Sequence, residues 1–144
     1  MCVRKLEVSE IKELRDIYNN NWAEVYYVKM RRARTLSSFT YGFFDDDDNS
    51  IVSEITLEEI YDLDKEEKCV EISWHTTQLS KWNQGYGSSV LKYAINACRT
   101  KGYKYIVASI EKGNEIARYI YEKHGFKCRG LSVNINKMVY ILDF

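Results

Sequence analysis

The run Gln84-Gly85-Tyr86-Gly87-Ser88-Ser89 constrains this chain more than any other stretch. It stands between an apolar segment, residues 69–74, and an amphipathic helical pattern over residues 88–101. A strand that passes through a glycine-rich turn into a helix aims backbone N–H groups at one point. Those of the turn and of the first helical turn then converge on a single anion, typically a phosphate. Gly85 and Gly87 permit positive φ and a close approach of backbone to ligand. Two such glycines alone most often make only a tight turn. A second pattern downstream, Asn114-x-x-Ala117-x-x-x-Tyr121-x-x-x-Gly125-Phe126, makes the combination far more specific.

The chain has 144 residues, enough for one domain with a real core and too few for two comfortable ones. No apolar run approaches the roughly 20 residues of a membrane span. The first residues, Met-Cys-Val-Arg-Lys-Leu-Glu, lack the long apolar stretch of a secretory leader. The four cysteines, Cys2, Cys69, Cys98 and Cys128, lie far apart and there are only two histidines. That argues against a zinc site or a disulfide scaffold and for reduced thiols in a cytoplasmic protein. A formal net charge of zero leaves no global field to draw the chain to nucleic acid. Two local exceptions are the basic cluster Lys29, Arg31, Arg32 and Arg34 and the acidic run Asp45, Asp46, Asp47 and Asp48.

Periodicity predicts the remaining elements. Residues 4–8 suit a short strand. Ser9 suits the N-cap of a helix carrying Ile11, Leu14, Ile17 and Tyr18 on one face, and residues 22–34 suit a second helix. Residues 39–44 and 51–57 read as strands joined by a turn over 45–50, while 57–64 is ambiguous between strand and helical turn. A strand over 69–77 precedes the glycine turn. The next helix has an apolar stripe of Val90, Leu91, Ala94, Ile95 and Cys98 and ends at Gly102. Residues 105–110 have the continuous apolar character of a buried parallel strand. Asn114 caps a last helix that stops at Gly125, and strands over 126–129 and 135–142 follow. The element order is that of an α/β domain.

With these residues in place, the chain resembles the general-control-type N-acetyltransferases, the GNAT superfamily, most specifically from Cys69 to Phe126. The resemblance implies a single domain with a mixed sheet of about six to seven strands, a V-shaped splay between two central parallel strands, and about four helices. It implies acetyl-CoA as acyl donor, its pyrophosphate wrapped by Asn83, Gln84, Gly85, Tyr86, Gly87, Ser88 and Ser89. The pantetheine arm would lie in the splay and pair with the strand edge at His75, Thr76 and Thr77, with Asn114 as a further cofactor-binding residue. Asn114 and Tyr121, two helical turns apart, share one helix face, and Ala117 between them leaves room for a ligand.

In the family a tyrosine at the position of Tyr121 protonates the departing CoA thiolate. A thiolate leaving into a desolvated cleft is costly, and a positioned phenol stabilises it. The acceptor must in turn be an unprotonated amine, whereas a lysine-type ammonium has a reference pKa of about 10.4. Glu71, which interrupts the apolar run Cys69-Val70-Glu71-Ile72-Ser73-Trp74, is the first candidate for the base, placed similarly to the general-base Glu of the histone acetyltransferase branch. Simple alternation offers another reading: Val70, Ile72 and Trp74 face one way, and Glu71, Ser73 and His75 face the other as surface residues. His75 and Glu111 are further base candidates. Two positions depart from the family pattern. Trp82 stands where a Gln or Arg is usual, leaving Lys81 as the basic residue near the phosphates, and Ser109 replaces a Glu of the branch that acetylates protein N-termini.

The acceptor implied is a small-molecule or peptide amine, and nothing in the sequence selects among them. Trp22, Tyr26 and Tyr27 suit either a pocket or a core, and residues 45–48 either attract a cation or make a solvated turn. A second copy of the chain could pair with the final strand. The same fold could also serve as a catalytically silent CoA-binding or interaction module. A Rossmann or P-loop nucleotide site is disfavoured by the missing third glycine and the missing G-K-[ST].

Overall fold

Apolar residues two apart dominate the middle and end of the chain, and they assemble as one sheet. A computed structural model describes residues 2–5, 35–48, 50–62, 67–131 and 136–144. Its strands are β1 (Cys2–Lys5), β2 (Thr35–Phe44), β3 (Ile51–Asp62), β4 (Glu67–Thr77), β5 (Tyr105–Glu111), β6 (Lys127–Leu131) and β7 (Lys137–Asp143). The helices are α1 (Tyr86–Thr100) and α2 (Glu115–Lys123), with a 3-10 turn at Leu79–Lys81. The described residues form a seven-stranded sheet in the order β1-β2-β3-β4-β5-β7-β6. All neighbours are antiparallel except β4 and β5, which are parallel.

The α/β mixed sheet therefore matches the sequence reading, with shifts at the element ends. The ambiguous stretch after Leu57 is strand as far as Asp62, because Leu57, Glu58, Glu59 and Ile60 keep partners on β4. Helix α1 starts at Tyr86, earlier than the apolar stripe suggests, because Gly85 takes a left-handed φ of 85° and caps it. The last two strands begin and end one or two residues later than expected. The acidic run is a hairpin turn closed by its own side chains: Asp45 Oδ1 accepts from the N–H of Asp47, and Asp48 Oδ1 from that of Ser50. The helices expected after Ser9 and over 22–34, the basic cluster within 29–34, and Trp22, Tyr26 and Tyr27 lie outside the described residues. No helix among the described residues is long and apolar enough to cross a membrane.

Two facts of register shape the centre of the sheet. First, β4 and β5 pair only at Val70 with Ile106 and at Glu71 with Val107. Each strand continues beyond that rung, β4 still paired with β3 as far as Thr77 and β5 with β7 as far as Glu111. The two parallel strands thus diverge, as the family resemblance implies. Second, Thr56 pairs with Trp74 but Leu57 pairs with Ile72, which leaves Ser73 without an opposite residue. This β-bulge bends β4 and reverses its alternation from that point on.

One face of the sheet carries the main core. There Ile55, Leu57, Val70, Ile72, Ile106, Ala108 and Tyr140 meet the α1 stripe of Val90, Leu91, Ala94, Ile95 and Cys98. Full burial of each large aliphatic side chain contributes about 1.5–3 kcal/mol. On the other face Ile60, Cys69, Tyr105 and Val107 form a second cluster. Helix α2 is fixed at both ends. Its Tyr121 is buried against Phe126 in an edge-to-face contact with ring centres 5.0 Å apart. Tyr140, fully buried on β7, donates its hydroxyl to Glu122 Oε1 (2.9 Å) and accepts from Arg118 Nε (3.2 Å). At the start of the helix, Asn114 Oδ1 accepts from the N–H of Ala117 at 3.1 Å.

That cap generates a stability prediction. Asn114→Ala is expected to cost about 1 kcal/mol and lower Tm by roughly 3–5 °C, whereas Asn114→Gly should cost only a few tenths of a kcal/mol. Equal losses for the two variants in thermal melts would show that the cap does not hold the helix.

Candidate active site

The cleft between the diverging strands is the candidate site. A cavity of about 560 Å³ opens there, a size suited to a cofactor or small ligand. Its walls bring together most of the residues singled out from sequence: His75, Thr76, Thr77, Asn83, Gly85, Tyr86, Gly87, Ser88, Asn114 and Tyr121. Gln84, Ser89, Glu71 and Glu111 do not line it. Ser89 instead turns its hydroxyl back onto the carbonyl of Gly85 at 2.9 Å, and Glu111 is exposed at the end of β5.

Helix α1 points its N-terminus at the cavity. The chain reaches it through two left-handed residues, Asn83 at φ 62° and Gly85 at φ 85°. The first hydrogen bond of the helix, from the N–H of Ser89 to the carbonyl of Gly85, leaves the N–H groups of Tyr86, Gly87 and Ser88 without intrahelical acceptors. Three aligned donors at the positive end of a four-turn helix dipole suit a phosphate. Gly87 is needed for another reason: a Cβ there would lie 3.1 Å from Thr77 Oγ1 and 3.7 Å from His75 Nε2. The turn is therefore pressed against the end of β4.

Within the gap, two hydroxyls are buried without a hydrogen-bond partner among the described residues, Thr76 Oγ1 on β4 and Ser109 Oγ on β5, and both residues line the cavity. Buried polar groups normally find partners, so a ligand with donors and acceptors suits this space. An extended chain carrying amide groups, threaded between the inner edges of β4 and β5, meets that demand and the demand of the free strand edges together. The residues present thus fit a CoA molecule: donors for phosphate at the α1 terminus, strand edges for amides, and Tyr121 beside the gap.

The bulge at Ser73 corrects the expected alternation. His75 faces the main core with its cross-strand partner Ile55, not the side of Glu71. Its ring is committed: Nε2 donates to the carbonyl of Gly87 at 2.9 Å, and Nδ1 lies 2.8 Å from the Tyr121 hydroxyl. Burial pushes its pKa down to about 4, reinforced by His124 and opposed by the Gly87 hydrogen bond, so the imidazole is neutral near pH 7. Burial also raises the pKa of the Tyr121 phenol, which stays protonated over the working range. A neutral, half-buried His75 with both nitrogens engaged is poorly placed as a direct base.

Glu71 occupies the rung that closes the gap, paired in register with Val107. It shares the sheet face of Cys69 and is fully buried, so it is not the surface residue that the alternation reading expected. Trp82, the departure from the family pattern, donates its indole N–H to the carbonyl of Thr77 at 3.1 Å and so ends the β4 edge. Lys81 lines the cavity and also reaches Asp45 at 3.5 Å. The sequence reading missed Ile116, Tyr119, Ile120 and Lys123, which line the cavity from α2. Their signal was available, since they are the helical neighbours of Ala117 and Tyr121 on the same side.

Comparison with known proteins agrees with this architecture. The described fold is similar to smu.2055 from Streptococcus mutans UA159, with a TM-score of 0.77, 16% identity and 99% of each chain covered. It is also similar to an N-acetyltransferase from Staphylococcus aureus Mu50, with a TM-score of 0.75, 20% identity, and 99% of this chain and 97% of that one covered. A third is NAA60 of Arabidopsis thaliana in complex with acetyl-CoA, with a TM-score of 0.71, 12% identity, and 99% and 98% covered. At these identities the likeness shows a shared fold. No curated protein matches the chain in sequence. The sequence profile of the acetyltransferase (GNAT) family, whose acyl donor is acetyl-CoA, does match, over residues 11–126. That span holds β4, the glycine turn, α1, β5 and α2, and the chain belongs to the acetyltransferase (GNAT) family.

Proposed function

We propose that the chain is an acetyl-CoA-dependent N-acetyltransferase that passes the acetyl group directly to a primary amine within a ternary complex. The amine is a small molecule, a polyamine or a protein lysine. The observation that carries this reading is the gap above Glu71 and Val107, with the α1 terminus at its mouth and Tyr121 beside it. The complex of NAA60 with acetyl-CoA, on a similar fold, lends it support.

Acetyl-CoA supplies an activated acyl carbon and a thiolate leaving group. The N–H groups of Tyr86, Gly87 and Ser88 hold the pyrophosphate, helped by the charge of Lys81. The backbone of His75, Thr76 and Thr77 holds the pantetheine amides. Thr76 and Ser109 offer hydroxyls to the reacting groups, which would relieve their lack of partners. Glu71, at the closed end of the gap, takes the proton of the incoming amine through an ordered water. Tyr121 gives its phenolic proton to the departing sulfur. The side chain of Asn114 serves as a helix cap and thereby sets the position of Tyr121.

Two measurements test this reading. Acetyl-CoA or CoA at about a hundredfold excess over a micromolar Kd should stabilise the protein by about 2.7 kcal/mol and raise Tm by several degrees, with no comparable effect from ATP or NAD. The absence of a shift with either CoA form would contradict the cleft assignment. In a screen of polyamines, small amines and lysine peptides, Tyr121→Phe should lower kcat about 10²–10⁴-fold with little change in CoA affinity. An unchanged kcat would remove Tyr121 from the chemistry. Tight CoA binding without turnover on any amine would favour a silent CoA-binding module.

A further inference from the structure

We propose that His75 is a positioning residue for Tyr121, its imidazole held in one tautomer by the Gly87 carbonyl so that it directs the phenolic proton in the resting site. The proposal rests on the acid role of Tyr121 given above and adds a partner that controls it.

The tautomer follows from the acceptors. A carbonyl oxygen can only accept, so the 2.9 Å contact to Gly87 requires the proton on His75 Nε2. Neutral imidazole then has a lone pair at Nδ1, and the Tyr121 hydroxyl, 2.8 Å away, donates to it. The rings stand edge to face, 79° apart in plane with centres 5.7 Å apart, a packing contact that accompanies the hydrogen bond. Phe126 packs against the far side of Tyr121. The arrangement requires both local irregularities of the chain. Without the bulge at Ser73, His75 would face away from the core, and a side chain at residue 87 would press on Thr77 Oγ1 at 3.1 Å and push the turn, with its Gly87 carbonyl, off the end of β4.

The consequence is selective. A phenol has one proton, and in the resting site His75 holds it, leaving the oxygen lone pairs toward the cleft. The sulfur of an intact thioester is a weak acceptor and does not compete. A departing thiolate is anionic, and hydrogen bonds to charged groups are roughly twice as strong as neutral ones. The proton therefore turns from Nδ1 to sulfur only as charge develops there, and the interaction strengthens in the transition state rather than in the ground state. In that step the Tyr121 O–H bond breaks and an S–H bond forms. The phenolate is then reprotonated from solvent, while the proton of the acceptor nitrogen leaves by way of Glu71 and its ordered water. His75 does not take the phenolic proton itself, because burial keeps its own proton affinity low. Among the described residues, the ionisable groups acting on it are Tyr121 and His124, both from the α2 segment.

The test compares His75→Asn, His75→Gln and Tyr121→Phe in the full chain. The readout is thiol release from acetyl-CoA with hydroxylamine as a small nucleophile, above the uncatalysed background. Asn places an amide oxygen near the position of Nδ1, whereas Gln places an amide N–H near that of Nε2 and leaves the phenol without an acceptor. His75→Gln is expected to lower kcat about tenfold, because the phenol is then no longer held in register with the departing sulfur, and His75→Asn to recover most of that loss. CoA affinity should be the same in both. Long-range proton–nitrogen NMR, simple with two histidines, should show His75 Nδ1 unprotonated, the ring neutral down to about pH 5, and the Nδ1 signal displaced in Tyr121→Phe. Equal kcat for the Asn and Gln variants, a joint loss of CoA binding, or a proton on Nδ1 would overturn the positioning role alone. Full thiol release by Tyr121→Phe would overturn the acid role, and positioning with it.

Discussion

The structure turns on one broken pairing. Parallel strands β4 and β5 share a rung at Glu71 and Val107 and then separate, although each keeps its other neighbour. The bulge at Ser73 lies just past that rung, where an extra residue bends a strand and increases its local twist. Buried backbone groups are rarely left unpaired, so a sheet that opens in its middle creates a demand for a partner. A cofactor with amides along its length answers it. In this account the cleft is a sheet held incomplete by its own register, and ligand binding finishes the hydrogen bonding.

The same bulge sets the chemistry around the cleft. By reversing alternation, it sends His75 to the core side, where Tyr121 and the Gly87 carbonyl take both ring nitrogens. It leaves Glu71 on the opposite face, below the opening. Tyr121 and Glu71 therefore lie on different sides of the sheet. Glycine at residue 87 joins the halves of the cleft: it lets the α1 terminus approach β4 closely enough to present N–H groups to the cavity and a carbonyl to His75.

Much of this was readable from residues. The strand, glycine turn and helix around residues 84–89 identified the cleft. The spacing of Asn114, Ala117 and Tyr121 placed a second helix beside it. What local patterns could not show was the register of β4 against β3. A bulge leaves no compositional mark in Ile-Ser-Trp-His, so alternation mispredicted the direction of His75 and made Glu71 seem a surface group. Trp82 looked like a lost phosphate ligand, and its indole N–H on Thr77 is a tertiary contact with no sequence signal. The strand–helix ambiguity after Leu57 was likewise settled by partners on β4 rather than by its own residues.

Amide hydrogen exchange with and without CoA tests the central claim most directly, because it reads the backbone groups said to lack partners. New protection is expected at those β4 and β5 amides within residues 72–77 and 108–111 that face the gap rather than β3 or β7, Trp74 apart, and at the α1 start over 86–88, with β2 and β3 unchanged. Bound CoA that left those amides as exposed as before, or protected a different surface, would contradict it.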